Sequence, residues 1–345
     1  ATNIQVQWFD ARCVFAPGTV LTGSKEMFKV FTPFSNAWLK RLMAEGYQVW
    51  PKPVSRGEAL TWSLVQFDYP KTDSHVWPVG EESVLARLRD FCAEKVYAYG
   101  EQRDFPAIAG TSQLSPYLAL GIITVRQCLA ATEGALGQLP LEPGAAGFVW
   151  LNELIWREFY QHLLVAFPHL SKHKAFKADT EHVSWLWDET RFNAWCEGKT
   201  GYPIVDAAMR CLNQTGWMHN RLRMIVASFL TKDLHIDWRH GERYFMQQLI
   251  DGELAANNGG WQWAASTGAD AAPYFRIFNP TTQGQKFDEK GMFIKRWLPE
   301  LALVPEKYIH TPLDWLKIFD PSSTYPQPIV DHGQAREVTL ALFKK

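Results

Sequence analysis

The sequence lacks an excess of charge of either sign. It has 35 Lys and Arg against 36 Asp and Glu, which gives a formal net charge of −1. A near-neutral chain does not coat nucleic acid over its whole surface, because affinity for the phosphate backbone depends on positive charge. Any contact with DNA must therefore be confined to a local basic patch.

Paired cysteines, metal-ligand clusters and membrane-length apolar runs are also missing. The odd number of cysteines and the lack of any CxxC spacing argue against a disulfide framework and a zinc site; the five are Cys13, Cys92, Cys128, Cys196 and Cys211. The first ten residues have neither the basic start nor the apolar middle of a signal peptide. We therefore expect a monomeric cytoplasmic protein with no metal, no membrane contact and no obligate protein partner.

What the sequence does have is length, aromatic residues and helical periodicity. Its 345 residues include 16 Trp, 21 Phe and 11 Tyr, and 345 residues suffice for one large domain or two unequal ones. Residues 4–8 resemble one short strand, 25–44 are helical, and 48–80 form an irregular connector with four prolines. Apolar spacing and capping signals, such as Ser115 as an N-cap, then predict helices at 81–105, 115–121, 148–166, 189–196, 203–213, 217–236, 240–250 and around 257–263. The predicted class is mainly α, with a domain boundary near residue 80.

The segment 151–164 sets a carboxylate, an indole, a guanidinium and a phenol on one helix face. These are Glu153, Trp156, Arg157 and Tyr160, at i, i+3, i+4 and i+7. Such a face can grip a heterocycle by hydrogen bonding, stacking and charge. The alternative is a surface ion pair beside a core Trp, and spacing alone does not separate the two.

The segment 251–280 combines acids, amides, glycines and indoles. Gly259 and Gly260 would let backbone approach a flat ligand, Asn257 could donate its amide to a ring nitrogen, and an indole could stack on another ring. A buried Trp-rich segment that closes a helical core remains the alternative.

Two further signals are weaker. Arg221 and Arg223 lie two residues apart, so they point to different faces of one helix; Arg223 could pair inward with an acid while Arg221 faces a phosphate, or both could be ordinary surface arginines. The run "GTSQLS", residues 110–115, could hold a phosphate with its hydroxyls and backbone N–H groups, or could simply cap the following helix.

In order, the runs "GTSQLSPYLALG", "LNELIWREFY", "EGKTGYPIVDAAMR", "TGWMHNRLRM", "DWRHGERYF" and "DGELAANNGGWQWAASTGADAAPYFRIFNP" resemble the photolyase/cryptochrome family, and most of all its bacterial class I branch. The resemblance extends from about residue 12 to 340. It implies the helical FAD-binding domain of that fold for residues 81–345. Residues 1–80 would be the remnant of an N-terminal α/β antenna domain plus the connector, so no folate or deazaflavin antenna is expected.

The resemblance implies FAD, active in its reduced anionic form, with Asn257 at flavin N5 and an Asp251–Arg223 pair beside it. An amide at N5 tolerates the negative charge of the reduced flavin better than a carboxylate would. The implied cofactor-binding residues are Tyr99, Thr111, Ser112, Gln113, Leu114, Ser115, Trp150, Arg223, Asp251, Gly252, Glu253 and Asn257.

The resemblance also implies UV-damaged DNA as the partner, with a flipped-out pyrimidine dimer as the substrate. Trp156 and Trp263 would flank the dimer, and Glu153 would stabilise its radical anion by hydrogen bonding. At position 113, Gln stands where relatives frequently have Arg, which puts one phosphate contact in doubt. The implied DNA and substrate contacts are Arg103, Glu153, Trp156, Arg157, Tyr160, Asn220, Arg221, Met224, Trp263, Arg276 and Gln283.

Three tryptophans from separate segments match the family's electron-transfer chain to photoexcited oxidised flavin: Trp261, Trp238 and Trp185. The implied activity is light-driven dimer repair, that of a carbon–carbon lyase. A cryptochrome-type photoreceptor and an inactive FAD- and DNA-binding fragment remain alternatives; cryptochromes usually alter Trp156 or Trp263, and both indoles are present here.

Overall fold

The computed structural model describes residues 5–6, 11–51 and 76–344. Helices dominate these ranges, which contain isolated β-bridges but no sheet, and the mainly α class is confirmed. Most of the predicted strand at 4–8 and most of the predicted connector fall outside the described residues. The helices are α1 (Phe31–Glu45), α2 (Glu81–Glu94), α3 (Tyr99–Gln102), α4 (Ser115–Ala119), α5 (Val125–Leu136), α6 (Phe148–Ala166), α7 (Glu189–Glu197), α8 (Pro203–Thr215), α9 (Asn220–Ser228), α10 (Trp238–Gln248), α11 (Leu254–Ala264), α12 (Pro280–Phe287), α13 (Met292–Trp297), α14 (Leu313–Phe319) and α15 (His332–Leu342).

Two hydrophobic cores lie side by side. The first joins α1, α2, α5 and α6, and the second joins α8, α9, α10 and α13 with the buried side of α11. Helix α11 packs against α6 on one side and against α9 and α10 on the other, so it connects the two cores. Because α1 shares a core with α6, the described part of the first 80 residues packs directly onto the helical body; the domain boundary near residue 80 stays a prediction.

Several predicted helices differ from the observed ones at their ends. The 81–105 helix breaks into α2 and α3, and Ser115 is the first residue of α4 rather than its N-cap; Leu114 takes the cap position, without a side-chain hydrogen bond. The hydroxyl of Ser115 instead accepts a hydrogen bond from the Trp217 indole, at 3.1 Å. A tertiary contact has replaced the expected local one.

Helix α9 ends earlier than predicted, in a π-helical turn at Phe229–Asp233. Lys232 in this turn is fully buried, and its ammonium donates to the Ser266 hydroxyl at 2.9 Å and lies 4.0 Å from the centroid of the Phe343 ring. Burial lowers the pKa of Lys232 to about 7, and the charge of Lys177 acts in the same direction. Within the described ranges, no carboxylate forms an ion pair with this ammonium.

None of the described helices is long and apolar enough to cross a membrane.

Candidate functional site

A cavity of about 480 Å³ opens between α9, α11 and α12. This volume lies within the range of pockets that bind small organic groups. Five of the residues predicted to contact DNA or substrate line it together: Arg221, Met224, Trp263, Arg276 and Gln283. The remaining lining residues are Glu101, Asp104, Phe105, Phe278, Lys286 and Phe287.

Charged side chains form a connected network at one wall of this cavity. The guanidinium of Arg221 forms an ion pair with Asp104, with 2.8 Å between Nη2 and Oδ2, and its central carbon lies 4.4 Å from the centroid of the Phe287 ring. The Nε of Arg221 is buried and has no hydrogen-bond partner among the residues that the structure describes. Arg103 lies 3.9 Å from Asp104 and forms a close ion pair with Glu153. The network therefore joins the cavity to helix α6.

Glu153 projects from α6 towards Arg103. Burial raises the pKa of the Glu153 carboxyl above its ordinary value, although the charge and hydrogen bond of Arg103 oppose that shift. If Arg103 bound another anion instead, the Glu153 carboxyl would lose the contact that favours its ionised form. Burial, which favours the protonated form, would remain. Glu153 is therefore suited to donate a hydrogen bond.

The structure pairs Arg223 with Asp251, as the resemblance implies. The guanidinium donates to Asp251 Oδ2 at 2.7 Å and to the backbone carbonyl of Met218 at 2.8 Å. The other carboxylate oxygen of Asp251, Oδ1, is buried, and no donor in the described ranges contacts it. A buried acceptor without a donor is costly, and a bound ligand with an N–H or O–H group would satisfy it.

One face of α11 is open for a flat ligand. At 100° per residue, Gly260 falls between Asn257 and Trp263 on the helix surface, and a Cβ built on Gly260 would meet no atom of the described residues within 4 Å. The prediction that Gly259 also faces a ligand is wrong, because a Cβ there would lie 2.1 Å from the Tyr160 ring. Tyr160 therefore fills the space at Gly259.

Asn257 is held in place by its own amide, which donates to the backbone carbonyl of Glu242 at 2.9 Å. Its side-chain oxygen and second N–H remain available for a ligand. The free acceptor of Asp251, the amide of Asn257 and the open space at Gly260 together fit FAD, a ligand with a flat ring and many polar groups.

Arg157 and Trp156, which were predicted to share one face of α6, contact different partners. Arg157 donates to the carbonyls of Arg12 and Leu118 and to the carboxylate of Glu253, at 2.6 to 3.2 Å. The Trp156 ring stacks on Phe31 with centroids 3.6 Å apart. Neither side chain lines the cavity that holds Trp263, so their contacts with DNA stay predictions.

The other predicted cofactor residues lie in or beside the first core. Trp150 and Tyr99 are buried edge to face with centroids 5.7 Å apart, and Leu114 is buried below its loop. Gln113 is exposed and has the left-handed φ of 52°. Half-buried positions are Thr111, Ser112 and Gly252, whereas Asn220 is exposed at the first residue of α9.

The three tryptophans of the predicted chain differ in burial. Trp238 and Trp261 are buried, whereas Trp185 is half-buried and packs edge to face against Phe343 at 6.1 Å. A Cβ on Gly241 would lie 2.1 Å from the Trp261 ring, so this indole rests directly on α10, which also carries Trp238.

Sequence reasoning missed the acid at the centre of the charge network and the aromatic ring below Arg221. Asp104 directly follows Arg103, and an acid beside a predicted phosphate-binding arginine is a usable signal. Phe287 lies four residues after Gln283 on α12, so the i,i+4 spacing places it on the same face. No group of three or more His, Cys, Asp or Glu in the described part of the chain could hold a metal ion.

Comparisons with known proteins identify the family to which the chain belongs. Residues 150–345 match the family model described as the FAD binding domain of DNA photolyase, and residues 1–54 match the DNA photolyase model. The deoxyribodipyrimidine photo-lyase of Escherichia coli K12 is 57% identical over 348 residues, which cover 99% of this chain and 73% of that protein. Its counterpart in Vibrio cholerae is also 57% identical and covers 97% of this chain and 72% of that protein.

Solved structures show the same fold. A bacterial class III photolyase from Agrobacterium tumefaciens superimposes with a TM-score of 0.82 at 42% identity, covering 97% of this chain and 72% of that one. A cryptochrome from Synechocystis gives a TM-score of 0.77 at 29% identity, with coverage of 96% and 72%.

Proposed function

The chain belongs to the DNA photolyase family, and on that premise we propose that it repairs cyclobutane pyrimidine dimers in DNA in a light-driven reaction. Reduced FAD, when bound and excited by near-UV or blue light, supplies one electron to the dimer and receives it back after the ring has split. The observation that carries the proposal is the cavity of about 480 Å³, in which an indole, a thioether and cationic side chains meet.

The cavity suits two adjacent, covalently linked pyrimidines of one strand that have been turned out of the duplex. Stacking inside the helix keeps a dimer away from a buried cofactor, so extrusion is required, and damage lowers its cost. Trp263 offers an aromatic face for the extruded bases, and Met224 offers a polarisable apolar contact. Arg221 and Arg276 lie at the same cavity and would bind the flanking phosphates.

The cofactor would be held by residues whose side chains have unused hydrogen-bonding groups. Asp251 would accept a hydrogen bond at Oδ1 while Arg223 fixes its other oxygen at 2.7 Å. Asn257 would orient the ring through its amide, and Gly260 would let the ring approach α11.

Glu153 would supply the hydrogen bond that steadies the reacting dimer. Its carboxyl has a raised pKa because of burial, and Arg103 holds it in the charge network. Binding of a DNA phosphate by Arg103 would weaken that hold and favour the protonated carboxyl, which can donate.

The tryptophans would carry an electron inward to restore the reduced cofactor. Two features support this role: Trp261 rests on α10 at Gly241, and Trp238 lies three residues earlier on the same helix, on the same face. Trp185 is the most exposed of the three, which suits exchange with an external reductant.

We place the protein in the cytoplasm as a monomer, and its free cysteines support a reducing compartment. We expect no antenna chromophore; an absorption spectrum of the purified protein with a band beyond those of FAD would contradict that expectation.

The direct test is repair of a dimer-containing oligonucleotide by the FAD-loaded, reduced protein under blue light. We expect light-dependent restoration of thymines in the wild type and weakened binding of damaged DNA in Trp263→Ala. Trp50→Ala is the matched control, since that indole is 75% exposed and does not line the cavity. Flavin photochemistry without any loss of dimers would instead favour a photoreceptor.

A further inference from the structure

The Asp104 carboxylate contacts the guanidinium of Arg221, which is the group that a DNA phosphate would bind. Its carboxylate lies 2.8 Å from Nη2 of Arg221, and both side chains line the cavity. A guanidinium recognises carboxylate and phosphate by the same planar fork of N–H donors. The two anions therefore compete for one site.

The surroundings of Arg221 make it difficult for the side chain to bind Asp104 and a phosphate at the same time. Phe287 covers one face of its guanidinium at 4.4 Å, which restricts the group to its present plane. Within residues 76–344 and the other described ranges, its buried Nε has no hydrogen-bond partner, so the donors of the guanidinium are only partly satisfied. A phosphate that bound Nη2 would have to displace the Asp104 carboxylate, which already contacts that nitrogen at 2.8 Å.

We propose that Asp104 is a specificity-determining residue that withholds Arg221 from the phosphates of undamaged DNA and releases it when a dimer enters the cavity. This inference rests on the proposed function. Undamaged duplex is bound through phosphate contacts alone, so nothing offsets the loss of the Asp104 pair. A dimer adds contacts to Trp263 and Met224, and these offset that loss.

The pair is suited to this role because it is only moderately strong. The Asp104 side chain is 35% exposed and that of Arg221 is 19% exposed, so water screens their attraction. A fully buried pair would not open for any substrate, and a fully exposed one would not compete with phosphate.

The number of phosphates bound can be read from the dependence of affinity on salt. Each phosphate contact adds about 0.9 to the negative slope of log K against log of salt concentration for duplex DNA. Loss of the Asp104 charge would allow Arg221 to contact undamaged DNA, whereas in the dimer complex Arg221 is already engaged. The slope should therefore change with undamaged DNA only.

The experiment measures affinities for matched undamaged and dimer-containing duplexes between 50 and 200 mM NaCl. For Asp104→Asn with undamaged DNA, we expect the ratio of affinities at the two salt concentrations to grow by about 3.5-fold, the change for one added contact. The slope with dimer DNA should stay at the wild-type value, so the preference for dimer DNA falls. Asp104→Glu, which keeps the charge, should retain the wild-type slopes.

Glu101→Gln is the matched control, because it removes one negative charge from the same cavity wall, and Glu101 forms no ion pair with any residue in the described part of the chain. It should affect both DNAs equally. Equal effects of Asp104→Asn and Glu101→Gln, or an unchanged slope with undamaged DNA in Asp104→Asn, would overturn the role of Asp104. A wild type with no preference for dimer DNA and no repair would instead overturn the proposed function.

Discussion

Replacement of Asp251 by Asn tests both the fold and the cofactor site. The carboxylate is 2% exposed and accepts a hydrogen bond from Arg223, whose side chain is 26% exposed. Breaking a fully buried ion pair costs 3 to 5 kcal/mol as an order of magnitude, and water at Arg223 reduces this, so we expect a loss of about 2 kcal/mol in the free energy of unfolding. Asp314→Asn is the control, because its pair with Lys317 is 93% and 64% exposed and should contribute less than about 1 kcal/mol.

Urea denaturation with and without FAD separates the two effects. FAD at one hundred times its Kd stabilises the wild type by about 2.7 kcal/mol, and a tenfold weaker Kd in Asp251→Asn would remove about 1.3 kcal/mol of that gain. The cofactor-free measurement gives the contribution of the ion pair, and the FAD-dependent difference gives the contribution of the free oxygen, Oδ1. An Asp251→Asn protein with wild-type stability and wild-type FAD affinity would refute the reasoning from the buried, unpaired acceptor.

Three further predictions concern single positions. Gly259→Ala should destabilise the fold by about 1 to 3 kcal/mol through collision with the Tyr160 ring, whereas Gly260→Ala, with open space beside it, should not; equal urea midpoints for the two would contradict this packing. Burial lowers the pKa of Lys232 from 10.5 to about 7. Between pH 7 and pH 10.5 the unfolded chain therefore binds more protons at Lys232 than the folded chain does, so the free energy of unfolding rises with pH in this range. Lys232→Met should therefore gain less stability than the wild type from pH 7.5 to 9.5 in urea titrations, and parallel curves would exclude the assigned pKa. Trp238→Phe should slow the photoreduction of oxidised FAD, followed by absorbance, because Phe is much harder to oxidise; an unchanged rate would remove Trp238 from the electron-transfer path.

Local patterns predicted much of the helical fold. Helix α6 was predicted at its observed bounds, 148–166, because its apolar periodicity is strong along its whole length. Helix α5 was missed although Thr124 and Gln127 form a capping box at its start, a signal that sequence alone contains. The π-helical turn after α9 was not predictable, because it depends on contacts with distant segments such as α15.

The candidate site was predictable in its residue types and less so in its grouping. Spacing placed Glu153 and Arg157 on one face of α6, yet Glu153 pairs with Arg103 and Arg157 pairs with Glu253. Helical spacing fixes the direction in which a side chain leaves the backbone, whereas its partner is chosen by elements far away in the chain. For the same reason Asp104 escaped notice, since its importance comes from Arg221, 117 positions further on.

The packing of the Trp261 ring against Gly241 has a consequence for redesign of the predicted electron-transfer chain. Because Gly241 and Trp238 lie three residues apart on α10, the helix backbone fixes the point at which Trp261 contacts α10 relative to Trp238. The oxidation potential of either ring could then be tuned by substitution without moving the other. The driving force of electron transfer between the two indoles can thus be varied separately from their geometry, provided that position 241 remains glycine.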